Sequence, residues 1–322
     1  MIAEAVEKRA FGADHPYVLR RITPDTIGRL TNGGLLAAWQ RSVLHAANAI
    51  LVVVGKFDPV QLEAVIRVKF GPWPHFDPTP PVTQPAAPDG GRTVIAQRYD
   101  GPRADVSVAF PGGLEHGRTD AIRLVIAAIL DNEVRSIRER LGATYGVYAT
   151  YQSRVGPGLY SVGGSVDPDR LPEAMAEIDK ATTAVTAVRS IARRLTAAKR
   201  AVVSILVASA DSVPAQASAI ADAAAKGLPP DGPGQLASQV VAVTAEEVAR
   251  LAIAELAPGR EVIVVRAPER ALAALRARHW KVKMIETRRY RVLRGTRGTS
   301  AAKRTQRVCR PWWYSPEIKA QS

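Results

Sequence analysis

Asn48-Ala49-Ile50-Leu51-Val52-Val53-Val54-Gly55-Lys56-Phe57-Asp58-Pro59 is the stretch from which the fold can be read. Ile50 to Val54 is an unbroken aliphatic run of strand length, and Gly55 ends it. Asp58-Pro59 then starts a helix. The aspartate can accept from free amides of the first turn, proline suits the first helical position, and Gln61 stands where a capping box needs it. This helix stops before Gly71-Pro72. Upstream, Leu35, Leu36, Trp39, Val43 and Leu44 recur near the helical period, while Thr23-Pro24 and Asn32-Gly33 read as helix N-termini. The order is helix, strand, helix.

The same plan returns late in the chain. Thr244 with Glu247 makes a capping box for a helix to Leu256, and Glu261 to Val265 is a second Val/Ile strand. A duplicated domain of about 200 residues whose first copy has lost its front would produce this pairing, and so would chance similarity of two helix–strand units. Between the two, Thr93–Tyr99 and Ala104–Phe110 are strand candidates. Thr119–Leu130 and Val134–Leu141 read as helices, and Tyr145–Tyr151 alternates as a half-buried strand with Gly158–Val166 as its hairpin partner. Asp167-Pro168 starts a further helix, and alanine-rich helices fill Leu195–Ala225.

Pro78, Pro80, Pro81, Pro85 and Pro88 forbid regular structure between the halves. The expected organisation is therefore a truncated first domain over 1–74, a proline-rich linker over 75–91, a complete second domain over 92–268 and a tail over 269–322. The expected fold class is α+β, an antiparallel sheet packed by helices, preceded by a truncated copy of the same domain type.

Composition bounds the function. Of 322 residues, 47% are hydrophobic and 23% charged, ordinary for a globular chain. No run approaches the roughly 20 apolar residues of a membrane span, and Met1 to Ala10 lacks the apolar core of a secretory signal. As written the chain would be cytoplasmic, although its cysteine usage suits other compartments. The single cysteine, Cys309, excludes an internal disulfide and a Cys-based zinc site. The net charge of +14 is not spread evenly: Arg270 to Ser322 holds 15 Lys and Arg against Glu286 and Glu317. Those cations, with Trp312, Trp313 and Tyr314, would suit nucleic acid. The competing reading is a junk or frame-shifted extension without a fold, because no nucleic-acid-binding motif surrounds them.

Several segments, in order, resemble the pitrilysin/insulinase family of zinc peptidases, which includes the mitochondrial processing peptidase. Phe11-Gly12-Ala13-Asp14-His15-Pro16-Tyr17 is similar to its F-G-x-x-H-P-Y stretch, and Asn48–Asp58 to its N-x-x-L-V-V-V-G-D-F-D. Phe70-Gly71-Pro72-Trp73-Pro74 is similar to F-G-x-W-P, and Arg138-Glu139-Arg140-Leu141-Gly142-Ala143-Thr144-Tyr145 to R-E-x-L-G-x-x-Y. The resemblance implies repeated α+β domains arranged as two halves around a chamber. One half holds zinc through His-x-x-Glu-His, and the other offers an arginine and a tyrosine to the bound peptide. It places that pair at Arg138 and Tyr145.

The zinc motif itself is missing. Histidines stand at 15, 45, 75, 116 and 279, and no two are four apart. The resemblance therefore implies no catalytic residue, metal ligand or cofactor in this chain. Zinc is expected only in a partner subunit of the same family, which would share a peptide substrate. An inactive truncated product and a basic-tailed nucleic-acid-binding protein are the rival readings. Other candidates are weaker. Glu115-His116 are adjacent, which rarely suits one metal; His15 and Tyr17 fall in a packing motif. Gly112-Gly113 and Gly163-Gly164 lack a nucleotide-loop context, and Asp211-Ser212 has no matching histidine.

Overall fold

The computed structural model describes residues 2–18, 33–73, 76–77, 92–141 and 144–285; the side chains of 138, 140, 141, 144 and 145 also fall outside the description. Thr23-Pro24, Asn32, most of the proline-rich linker and the residues beyond 285 thus lie outside the described residues.

The strands are β1 (Thr93–Arg98), β2 (Ala104–Pro111), β3 (Thr144–Gln152), β4 (Leu159–Val166), β5 (Val262–Ala267) and β6 (Lys281–Met284). They form one sheet in the order β3-β4-β2-β5-β1-β6. The helices are α1 (Ile2–Phe11), α2 (Gly33–Val43), α3 (Pro59–Phe70), α4 (Arg118–Leu141), α5 (Leu171–Ala184), α6 (Val188–Ala208), α7 (Val213–Ala225), α8 (Gly232–Ala242), α9 (Ala245–Glu255) and α10 (Glu269–Ala277).

The fold is α+β, as expected. The sheet is mixed: β3–β4, β4–β2 and β2–β5 are antiparallel, but β1 runs parallel to both β5 and β6. Parallel pairing needs a crossover, and the chain between β1 and β5 supplies one through its helices. Where two helices were expected over 119–141, α4 is continuous for 24 residues. Asp131-Asn132-Glu133 contains no breaker, and its polar side chains are at most partly buried. Ala121, Ile122, Val125, Ile126, Ile129, Leu130, Val134 and Ile137 make its buried stripe. Helix α4 is the centre of the helical layer, packing on β3, α5, α6, α8 and α9.

The opposite sheet face takes α1, which the sequence did not reveal as a helix. Its Val6, Ala10 and Phe11 pack on Ile95, Ala109, Leu159, Val262 and Val264. A segment expected in the first domain therefore belongs to the sheet of the second. His15 and Tyr17 continue this contact: their rings cluster with Phe11, and Arg154 lies over both Phe11 and Tyr17. The packing role expected for them holds.

Two expectations are corrected. Ile50–Gly55 is not a buried strand: residues 50–54 pair with no described strand, and Ile50 is 58% exposed. A strand is buried by its neighbours, and this one has none among the described residues. The fold also continues beyond 268. In α10, Ala271, Leu272 and Leu275 are buried, and β6 adds to the sheet beside β1. Ala271 to Trp280 is the one part of this stretch whose sequence allows a helix, and its apolar i, i+1, i+4 face is what docks. Arg270, Arg276 and Arg278 there pair with Asp169, Glu269 and Glu173. Among the described residues, no single helix is long and apolar enough to cross a membrane.

The Thr244–Glu247 capping box forms as expected. Glu247 also receives Arg118 from the start of α4, with Nη2 at 2.6 Å, while Arg118 donates to the carbonyl oxygen of Ala242 near the end of α8 at 3.1 Å. The Arg118 hydrogen bond holds the Glu247 carboxyl below its ordinary value of 4.5, against the opposing effect of burial. A depressed carboxylate stabilises the fold above its unfolded pKa, and that contribution is lost as pH falls through the folded one. Glu247→Gln is thus expected to lower the melting temperature at neutral pH, with the gap to the parent closing as pH falls below 4.5. Melts across acid pH test this; a gap that is constant with pH would refute it.

Candidate functional site

Arg138 lies in the last turn of α4, and Tyr145 is the second residue of β3. The two positions flank residues 142–143, so helix end and strand start are brought together by a short connection. The β3–β4 register shifts between Thr144 and Gly146: Thr144 pairs with Val166 and Gly146 with Ser165. Tyr145 is the extra residue of a bulge. Beyond it, regular alternation sends Val147, Ala149 and Tyr151 into the core. Gly146 has φ 143°, a conformation that favours glycine, and a Cβ there would overlap the Tyr148 ring. The sequence contains the glycine but not the bulge.

Strand β3 is an edge of the sheet, yet its edge is partly occupied. The Ala149 amide donates to Asp131 Oδ1 at 2.9 Å, and Arg135 lies over the Tyr148 ring, both from α4. From the bulge a polar ladder crosses the neighbouring strands. Ser165 Oγ donates to Asp105 Oδ1, and Asp105 Oδ2 accepts from Arg266 Nη2 at 2.6 Å and Nε at 2.9 Å. Arg266 in turn lies 4.3 Å from the centre of the Tyr99 ring. These residues share the sheet face with α1, beyond the area α1 covers. There Asp105, Ser107, Ser161, Ser165 and Arg266 are half-buried, and Tyr148 and Thr150 are exposed. A sheet face with hydroxyls, a carboxylate and a guanidinium can hydrogen-bond an extended peptide.

The sequence reading missed a second polar cluster, at the other end of β3 and β4. Arg123 is fully buried in α4 and meets Glu255 of α9, with Nη2–Oε1 at 2.6 Å and Nε 3.1 Å from both oxygens. Glu255 also accepts from Gly113 N at 2.8 Å and from the Tyr160 hydroxyl at 2.9 Å. Asp120 accepts from Ser153 Oγ at 3.0 Å and Tyr151 Oη at 3.3 Å, and lies 3.1 Å from His116 Nδ1. Burial alone would lower the Arg123 pKa, but the hydrogen bond and charge of Glu255 hold it above the ordinary arginine value. Burial raises the hydroxyl pKa of Tyr160 and Tyr151, helped by the neighbouring carboxylates. The groups are paired and closed in, so this is a structural lock. Its one signal in the sequence was an arginine between Ile122 and Leu124 in an apolar helix.

His116, the histidine beside Glu115, is bound into this lock through Asp120 and the Val155 carbonyl. Gly112-Gly113 lies beside it as a loop, and Gly163-Gly164 is in β4; neither opens a helix. Ser212 caps α7. A cavity of about 440 Å³ opens between the start of α4 and helices α6, α7 and α8; its lining includes Leu206, Ala223, Leu228 and Leu236 but neither Arg138 nor Tyr145. The residues present do not fit a zinc site: among the described ones, no three His, Cys, Asp or Glu side chains are grouped to hold a metal.

Fold and site define a peptidase-like α+β domain without a zinc-binding motif of its own. Residues 34–187 match the family model of the peptidase M16 inactive domain. The match covers just under half of the chain and supports a non-catalytic domain of the pitrilysin/insulinase (M16) type. Among solved structures it is similar to the peptidase M16 inactive domain from Pseudomonas fluorescens, with 18% identity, a TM-score of 0.68, and coverage of 83% of this chain and 64% of that one. A chain of complex III2 from Candida albicans matches at 17% identity and TM-score 0.68, over 88% of this chain and 70% of that one. The periplasmic protease PqqL from Escherichia coli matches at 16% and 0.61, over 83% and 30%. At these identities the likeness speaks for the fold. The chain spans 64% of the length of the Pseudomonas relative and less of PqqL. Comparison with curated proteins returns no match.

Proposed function

We propose that this chain is the substrate-facing, non-catalytic half of a two-part zinc peptidase, with the metal on a separate subunit of the same family. The observation that carries the reading is a fold of the non-catalytic M16 type in a chain with no His-x-x-Glu-His. In this reading the polar sheet face is one wall of the peptide-binding space. Arg138 and Tyr145 hydrogen-bond the scissile carbonyl, whose oxygen gains charge when a zinc-activated water on the partner attacks. A fold relative that is itself a chain of complex III2 supports a role within an assembly.

Purified alone, the chain is expected to hold no stoichiometric zinc and to cleave no peptide. Mixed with a zinc-bearing subunit of the family from the same organism, it is expected to restore chelator-sensitive cleavage. Metal analysis and a quenched-peptide assay decide this: peptidase activity with co-purifying zinc in the isolated chain would overturn the reading.

A further inference from the structure

Helix α7 stands off the body of the fold. Of its 13 residues only Ala223 is buried, and its principal contact is α8. The space beneath it is the cavity of about 440 Å³ between α4, α6, α7 and α8. Many of the positions that face this space are small: Gly117, Ala210, Ala219, Ala223, Gly232 and Ala237. Its apolar wall is aliphatic, made chiefly by Leu124, Leu206, Leu228 and Leu236, and no aromatic ring is among the lining residues. A cavity of this size and character falls in the range of small-molecule sites, where a few polar groups orient an apolar body.

The lining carries three charged side chains, Asp120, Asp222 and Lys226. Asp120 is committed to the buried lock: it accepts from Ser153 Oγ and Tyr151 Oη and faces His116 Nδ1 and Arg123 Nη1. Asp222 is 63% exposed, so water screens its charge. Lys226 is different. Its side chain is only 6% exposed, and its ammonium pairs with that solvated Asp222. An ammonium has three donors, of which Asp222 takes one. A lysine held in an aliphatic cavity, against a counter-charge that is mostly in water, is placed to receive a second anion.

We propose that this cavity is a binding site for a free aliphatic monocarboxylate, a medium- or long-chain fatty acid. Lys226 holds the carboxylate, and the chain runs along Leu124, Leu206, Leu228 and Leu236. The head group follows from charge: Lys226 is the one buried charge of the lining that lies outside the lock. The tail follows from the wall, whose aliphatic side chains suit a flexible chain better than a flat aromatic body. The site stands apart from the roles given to Arg138 and Tyr145, neither of which lines it.

The test uses the full chain and dodecanoate, titrated calorimetrically below its micelle concentration. Saturable one-to-one binding is expected. Shortening the ligand to decanoate should weaken it by about fourfold per methylene. Dodecanol should bind about 10–100-fold more weakly than dodecanoate, because the charged hydrogen bond is lost. In Lys226→Met, dodecanoate is expected to fall to the level of dodecanol, while dodecanol binds as in the parent. The head-group comparison needs no substitution, so it decides the matter even where Lys226→Met fails to fold. Binding that does not saturate at one equivalent overturns the proposal, as does dodecanol binding as tightly as dodecanoate, or unchanged dodecanoate affinity in a folded Lys226→Met. Tighter binding of an apolar peptide with a free C-terminal carboxylate also overturns it, since the site would then be one for peptide ends.

Discussion

Replacing Glu255 by alanine is expected to destabilise the fold by about 3–5 kcal/mol, the usual cost of stripping one partner from a buried ion pair. The guanidinium of Arg123 is fully buried and would be left with Asp120 Oδ1 at 3.4 Å, the Glu115 carbonyl, the Tyr151 ring at 5.7 Å, and the Glu115 carboxylate, itself mostly in solvent. The substitution also removes the acceptor for the Gly113 amide and the Tyr160 hydroxyl. Against a total stability of about 5–15 kcal/mol for a domain, this is a large share. Arg123→Met/Glu255→Leu is expected to recover much of the loss, because the desolvation penalty of both charges disappears together. Urea unfolding, read as a midpoint shift at constant slope, measures both variants. A single-variant loss below about 1 kcal/mol would show that Arg123 has found water or another counter-charge.

The second large effect is kinetic. In the reconstituted two-subunit enzyme, Arg138→Ala or Tyr145→Phe is expected to lower turnover by about 10²–10³-fold, the cost of losing one donor to a developing oxyanion. If both groups address one bound peptide, as proposed, the double variant should lose less than the product of the singles. Assembly, followed by sedimentation, should be unchanged. Both positions close on one short connection, and the β3–β4 register shifts at Tyr145. Normal turnover in both variants would reduce the pair to ordinary helix and strand positions.

Much of the fold was legible because its signals are local. Thr244 and Glu247 are three residues apart, and their capping box depends on nothing else. The alternation of Val147, Ala149 and Tyr151 marks β3 without its neighbours. The candidate pair rests on family resemblance alone, since an arginine and a tyrosine seven apart carry no physical signature of peptide binding.

What the sequence determined by itself was therefore the type of most elements, the α+β class, the resemblance to the family and the lack of His-x-x-Glu-His in these residues. The tertiary structure decided the rest. It made β1 parallel to β5 and β6, packed α1 on the sheet expected in the second domain, buried Arg123 against Glu255 132 residues away, and gave Ile50–Val54 no strand partner among the described residues. The physical reason is common to all four. Helix and strand propensity is written within a few residues, whereas burial depends on which distant segment arrives to cover a surface, and an apolar run reads the same with or without that cover.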